Sequence, residues 1–222
     1  MKNQFRYSLL LAFLVQGITL CAQDIRFEAY WGINPLHRDS LTDEGWRITD
    51  LRSYISDLNI STSNDSVWHD PVPAYLIDWL DTTRNRIQIP VMVNDTTTRL
   101  CLTIGLDSAL NCSGIQRGVL DPVNGMYWTW QSGFIHLRLE AVSPQGTAVE
   151  LHLGGYRYPH AAIQSTCFSF SRLKKTICVR MNVQALIDYM QEKGIDHIMS
   201  PGQAAKAGIK KAATVLAVEE YP

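Results

Sequence analysis

From residue 25 onward the apolar residues fall in runs too short for helices, cut apart by clusters of Asn, Asp, Gly, Ser and Pro. Such punctuation is that of a strand-rich protein. The segments 25–30, 54–60, 75–79, 86–90, 100–106, 128–140, 149–153, 166–170 and 176–181 read as strands, with 215–219 as a last one. Helical spacing enters only late. Val183 to Lys193 ends at Gly194, a residue suited to a helix C-terminus, and the Ala- and Lys-rich stretch 202–213 follows Pro201, which suits a helix start. The expected architecture is all-β, a β-sandwich-like two-sheet domain with one or two short helices near the C-terminus. The chain's 222 residues suffice for one domain with a substantial core, and no repeat or linker divides it.

The stretch from Ile135 to Leu153 carries the clearest pattern. Ile135, Leu137 and Leu139 alternate with His136, Arg138 and Glu140, while Val149, Leu151 and Leu153 alternate with Glu150 and His152. Each run therefore has one apolar and one polar face. Ser143-Pro144-Gln145-Gly146 between them is turn chemistry. A hairpin with both apolar faces on one core needs an odd number of loop residues. A three-residue loop sets His136 beside His152, with Cβ atoms about 5 Å apart, close enough to share a metal ion. A five-residue loop puts Arg138 opposite His152 instead.

The N-terminus reads as an export signal. Lys2 and Arg6 precede a short apolar run from Ser8 to Leu20, and Leu20-Cys21-Ala22 is a passable cleavage site before Gln23. Residues 1–22 are thus expected to be a leader and 23–222 the mature domain, periplasmic or secreted. A lipidated Cys21 is the rival reading, disfavoured by Leu20 where a small residue is wanted. No apolar run is long enough to span a bilayer as a helix. Without Lys2 and Arg6, 18 basic residues face 21 acidic ones and no basic run remains, which argues against nucleic acid as a partner. Four cysteines remain after Cys21: Cys101, Cys112, Cys167 and Cys178. In an exported chain an even count points to disulfides, and four allow three pairings. The two close pairs favour 101–112 with 167–178, the latter across a hairpin near Arg172 to Lys175. A four-thiolate zinc site is the alternative, but no C-x-x-C spacing supports it.

Upstream of His136, Trp128 and Trp130 share its even parity, so an unbroken strand places both indoles on the histidine face. A bulge at Gly133 would swing them to the core, the commoner fate of paired aromatics. Met126 has the same parity and could offer a thioether, though core filling is its ordinary role. His37, His69, His160 and His197 lie in polar surroundings and read as solvated. Asp107, Asp121 and Asn124 could gather a hard cation, but Asx-turns explain them more simply.

The block Asp121-Pro122-Val123-Asn124-Gly125-Met126-Tyr127-Trp128-Thr129-Trp130-Gln131-Ser132-Gly133-Phe134 resembles the signature of the MbnP-like copper-binding proteins, the methanobactin-associated family. Ile104-Gly105-Leu106-Asp107-Ser108 before it and His152-Leu153-Gly154-Gly155-Tyr156 after it match as well, as do Tyr54-Ile55-Ser56 and Tyr75-Leu76-Ile77-Asp78. The resemblance implies that Trp128, first of the W-x-W pair, is oxidised to kynurenine by a partner diheme cytochrome c peroxidase of the MauG type, and then contributes to a Cu(I) site. Imidazole and thioether both suit copper. His152, in the H-x-G-G match, is the first choice of imidazole and His136 the second, with Trp130, Met126 and Tyr75 as secondary candidates. The chain departs from the family pattern at 136, His where relatives tend to have Asn, and at 75, Tyr where they often have His. The ligand set has therefore either moved or weakened.

Signatures of catalysis are missing: no G-x-S-x-G, P-loop, H-E-x-x-H or G-x-G-x-x-G after a strand. The expectation is a binding protein and not an enzyme, acting in copper storage, delivery or homeostasis. The competing expectation is a metal-free interaction module whose aromatic strand is a binding platform or core. Carbohydrate recognition by the scattered Trp31, Trp68 and Trp79 has less support.

Overall fold

A computed structural model describes residues 23–62, 66–90, 97–130, 133–170 and 176–220. The leader assigned to residues 1–22 lies outside these, as do the turn residues expected near 172–175.

Two sheets form the body. The smaller contains β1 (Gln23–Trp31), β2 (Asn34–Pro35), β6 (Arg86–Ile89), β12 (Thr176–Asn182) and β14 (Leu216–Glu220). Its centre is a parallel pair, β1 with β12, running from Asp24 opposite Thr176 to Tyr30 opposite Asn182. The larger sheet is built on β3 (Arg47–Thr62), which pairs with β4 (Val67–His69), β5 (Ala74–Asp78), β7 (Thr97–Ile104) and β9 (Gly133–Val142). β10 (Ala148–Gly154) and β13 (His197–Ile198) extend it on one side, β11 (Gln164–Ser169) on the other, and the two-residue β8 (Tyr127–Trp128) pairs with the start of β9. The expected two-sheet β architecture is what the chain adopts. Helices α2 (Val183–Gln191) and α3 (Gln203–Thr214) complete the C-terminal part, near their expected positions, and pack Leu186, Ile187, Met190, Ile209 and Ala212 into the main core. The short α1 (Ser108–Cys112) was not expected.

The main core lies between the sheets. Ile25, Phe27, Ile177 and Val179 from the smaller sheet meet Ile55, Leu102, Leu137, Leu139 and Leu151 from the larger, all essentially inaccessible. On β3 the alternation shifts phase twice. Register breaks between Ile48 and Asp50 and between Ser56 and Asn59 keep Ile48, Leu51, Ile55, Leu58 and Ile60 all buried. A β-bulge inserts a residue so that a long strand can bend without turning its apolar face to solvent.

Three expectations need correction. The segment from Trp128 to Glu140 is not one strand, because the chain reverses between Trp128 and Gly133, which are paired partners; a parity count across that reversal has no meaning. The β9–β10 hairpin takes the five-residue register, with His152 opposite Arg138 and Leu151 opposite Leu139, so His136 and His152 are not side by side. The cysteine pairing also differs. Cys101 on β7 stands directly opposite Cys167 on β11, Cα atoms 4.1 Å apart, and these two form the disulfide; Cys112 and Cys178 are free. Cys167 and Cys178 cannot pair across a hairpin because β11 belongs to the larger sheet and β12 to the smaller.

Candidate functional site

The outer face of the larger sheet, turned away from the main core, is covered by the segment that follows β7. It runs through α1 and two single-turn helices and returns as β8. Beneath it a second, smaller apolar cluster forms from Tyr54, Ala74, Leu106, Leu120, Met126, Trp128, Phe134 and Ile135. The covering segment is pinned by side chains from the sheet. Arg138 Nη1 donates to the Gly125 carbonyl at 2.9 Å, Arg52 Nη1 to the Asn124 carbonyl, and the Tyr54 hydroxyl to the Val119 carbonyl at 2.9 Å. Asp121 caps the turn by accepting from Val123 N.

This arrangement places Trp128. Its indole is 4% exposed and lies on Gly154 at the end of β10: a β-carbon at Gly154 would sit 3.0 Å from Trp128 Cη2 and Cζ3 and 2.4 Å from the Phe134 carbonyl oxygen. The W-x-W and H-x-G-G segments therefore meet in space, and Gly154 is the residue that lets them. His152 is two residues earlier on β10, on the same face and about 7 Å along the strand. Trp128 Nε1 is buried without a hydrogen-bond acceptor, a cost of about 1–3 kcal/mol for a polar group of this kind. Beside the indole is a cleft of about 280 Å³ lined by Trp128, Gly133, Gly155, Tyr156, Arg157, Tyr158, His160 and Pro201. Larger depressions occur elsewhere; the one near Asp57, Asp70 and Asp107 offers carboxylates and no imidazole.

His152 is buried and its Nε2 lies 2.9 Å from Glu140 Oε1. Burial holds its pKa below the ordinary value, the Glu140 hydrogen bond offsetting part of that. The neutral ring thus donates its Nε2–H to the carboxylate, and the Nδ1 lone pair has no partner among the described residues. Burial raises the Glu140 pKa, but the hydrogen bonds from His152 and Arg138 outweigh it and the group lies below its usual range. Glu140 belongs to a larger charge network in which Asp50 joins Arg52 and Arg138.

His136 is placed differently. A register break opposite Leu153 and Gly154 leaves it as the extra residue of β9, fully buried. Its Nδ1–H donates to the Ala162 carbonyl at 2.7 Å, so Nε2 carries the lone pair and accepts from Asn111 Nδ2 at 3.1 Å. Asn111 also contacts the Leu106 and Asp107 carbonyls through Nδ2. Gly105 makes room for the ring, since a β-carbon there would come within 2.8 Å of His136 Nδ1. Both nitrogens of His136 are therefore engaged in holding α1 and the 162 loop to the sheet.

Of the secondary candidates, Met126 is fully buried in the small cluster, Trp130 is 64% exposed with its ring centroid 6.0 Å from that of Trp128, and Tyr75 is on β5 with its hydroxyl donating to Asp70 Oδ2 at 2.7 Å. Trp128 and Trp130 are in ring contact, and His152 lies two residues along β10 from the glycine that Trp128 packs on; both ring nitrogens of His136 and the hydroxyl of Tyr75 are taken by protein partners. His160, read from sequence as solvated, is exposed yet lines the Trp128 cleft. The sequence reading also missed Asn111 and the carboxylate role of Glu140. Asp107, which caps α1 by accepting from Leu110 N, was the available signal for the helix bearing Asn111.

Among the described residues no three His, Cys, Asp or Glu side chains lie close enough to hold a metal ion. Among the described residues His152 has one ring nitrogen without a protein partner and a carboxylate on the other, an arrangement common to metal-binding imidazoles.

The family model described as MbnP matches residues 22–201. Among solved structures, MbnP from Methylosinus trichosporium matches with a TM-score of 0.52 and 13% sequence identity, covering 75% of this chain and 77% of that one. At that identity the likeness is one of fold. No curated protein matches the sequence.

Proposed function

The chain belongs to the MbnP family, and from that premise we propose that it is an exported, non-enzymatic copper-binding protein serving copper storage, delivery or homeostasis. Trp128 is oxidised after export to kynurenine by a diheme peroxidase of the MauG type. The product's aromatic amine and ketone, together with His152 Nδ1, would hold Cu(I); His160 lines the cleft beside Trp128. Copper, when bound, supplies a soft one-electron centre; the chain supplies the donors and the burial. Glu140 fixes the His152 tautomer, and Arg138 and Arg52 hold the strand that carries Trp128.

The observation that supports this reading is the meeting of Trp128 with Gly154, two residues from a histidine with one ring nitrogen that has no partner among the described residues. His136, with both nitrogens engaged, takes a structural part.

The test is to isolate the protein from its source cells, with the peroxidase present, and measure copper content and the mass of the peptide containing Trp128. Kynurenine with one copper per chain is expected. An intact indole without copper would falsify the proposal.

A further inference from the structure

We propose that Trp130 is the electron port through which Trp128 is oxidised: an external one-electron oxidant takes an electron from the exposed Trp130 ring, and Trp128 refills it. This rests on the reading that Trp128 is the oxidised residue.

The two indoles differ in access and are coupled in space. Trp128 is 4% exposed and Trp130 is 64% exposed. Their ring centroids are 6.0 Å apart with planes tilted by 47°, within the range of aromatic pairs in direct contact. A large oxidant, such as a haem protein, cannot enter a cleft of about 280 Å³ to touch Trp128. It can touch Trp130, which stands beside His197, Met199 and Pro201 on the open surface. Pro201 lines both the depression under Trp130 and the Trp128 cleft, so port and target share a wall. An exposed large aromatic at a hairpin turn gains nothing from burial, and carrying an electron gives the position a use.

The chemistry balances as follows. Trp130 loses one electron to the oxidant and becomes a radical cation; it then takes one electron from Trp128 and is restored. Each cycle leaves Trp128 one electron poorer and the oxidant one electron richer. Removal of four electrons and four protons, with one oxygen from each of two water molecules bonded to C2 and to C3, breaks the C2–C3 bond and gives N-formylkynurenine, C2 as the formamide carbonyl and C3 as the ketone. Hydrolysis by one further water releases formate and leaves kynurenine. The cleft has space for several waters at about 30 Å³ each, which holds the oxygen source against Trp128, where the hole is consumed.

The test uses the purified full chain and a solution oxidant too large for the cleft, photogenerated tris(bipyridine)ruthenium(III), with oxygenation at Trp128 and at Trp130 followed by peptide mass. The wild-type chain should accumulate product at Trp128. Trp130→Phe should slow it by about ten-fold or more, and Trp130→Tyr, still oxidisable, should stay within about three-fold of wild type. Near-ultraviolet circular dichroism on each variant establishes that Trp128 keeps its packing, expected because Trp130 is exposed. Equal oxidation of Trp128 in Trp130→Phe, or product confined to Trp130 in the wild type, overturns the port. Intact Trp128 in natively isolated protein that nevertheless shows the Trp130 dependence here removes the copper reading and leaves the port standing.

Discussion

The indole of Trp128 packs against Gly154 so closely that no side chain fits between them. A β-carbon at that glycine would sit 3.0 Å from Cη2 and Cζ3 of the ring and 2.4 Å from the Phe134 carbonyl oxygen. The contact joins the strand that carries the tryptophan to the strand that carries His152.

Gly154→Ala should therefore displace the ring or the strand. Overpacking of this kind costs about 1–3 kcal/mol. Urea unfolding should register that loss, and tryptophan fluorescence should show a changed environment. A variant with unchanged midpoint and spectrum would mean that the indole has another place to go.

The buried His136 sets an acid limit on stability. Burial drives its pKa down to about 4, the hydrogen bond to Ala162 offsetting part of the effect, whereas in the unfolded chain it sits near 6.5. Between those values the unfolded state binds more protons, so stability falls as pH drops through the window, by roughly 3 kcal/mol across it. His152, also lowered, acts in the same direction. Chemical denaturation of His136→Asn at a series of pH values should show a shallower slope between pH 4 and 6.5; an unaltered slope would place the titration elsewhere.

Thiol chemistry checks the cysteine assignment. Cys112 is exposed, while Cys178 is buried with its pKa pushed up to about 12, chiefly by burial and then by the nearby Glu28. In a chain beginning at Gln23, a maleimide should label one thiol in the native protein and two on unfolding without reductant. Reducing the bridge between Cys101 and Cys167, which closes a separation of 66 residues, should cost about 2–4 kcal/mol. Labelling at Cys101 without reductant would contradict the pairing.

In the proposed copper site, Glu140→Gln should weaken Cu(I) binding by roughly ten- to a hundred-fold, because the His152 tautomer is then no longer held by a carboxylate. Competition with a Cu(I) chelator measures it, and undiminished affinity would remove His152 from the ligand set.

Much of this fold was legible from residue order. The alternation of Ile135, Leu137 and Leu139 against Val149, Leu151 and Leu153 is local, and so is the helical spacing of Val183 to Lys193; both reappear where expected. Non-local register was not legible. Cys101 and Cys167 are neighbours only because β7 and β11 pair, whereas closeness in sequence pointed to 101–112. The reversal between Trp128 and Gly133 was hidden because Thr129 and Trp130 are good strand formers. The β9 bulge that turns His136 toward Asn111 was invisible, since Asn111 sits in a helix of five residues, too short for any periodicity. Trp128 and the H-x-G-G segment could be named from residue order but not their contact at Gly154, and Glu140 as the partner of His152 needed the five-residue hairpin register.

Trp128 belongs to the outer cluster and has no place in the core between the sheets, where Trp31, Trp46 and Trp79 are packed. Cleaving an indole in that interior would open a void in the part of the molecule that holds the two layers together. Placed in an annex secured by arginine-to-carbonyl bonds, the same ring could be altered while the packing between the two layers stays as it is.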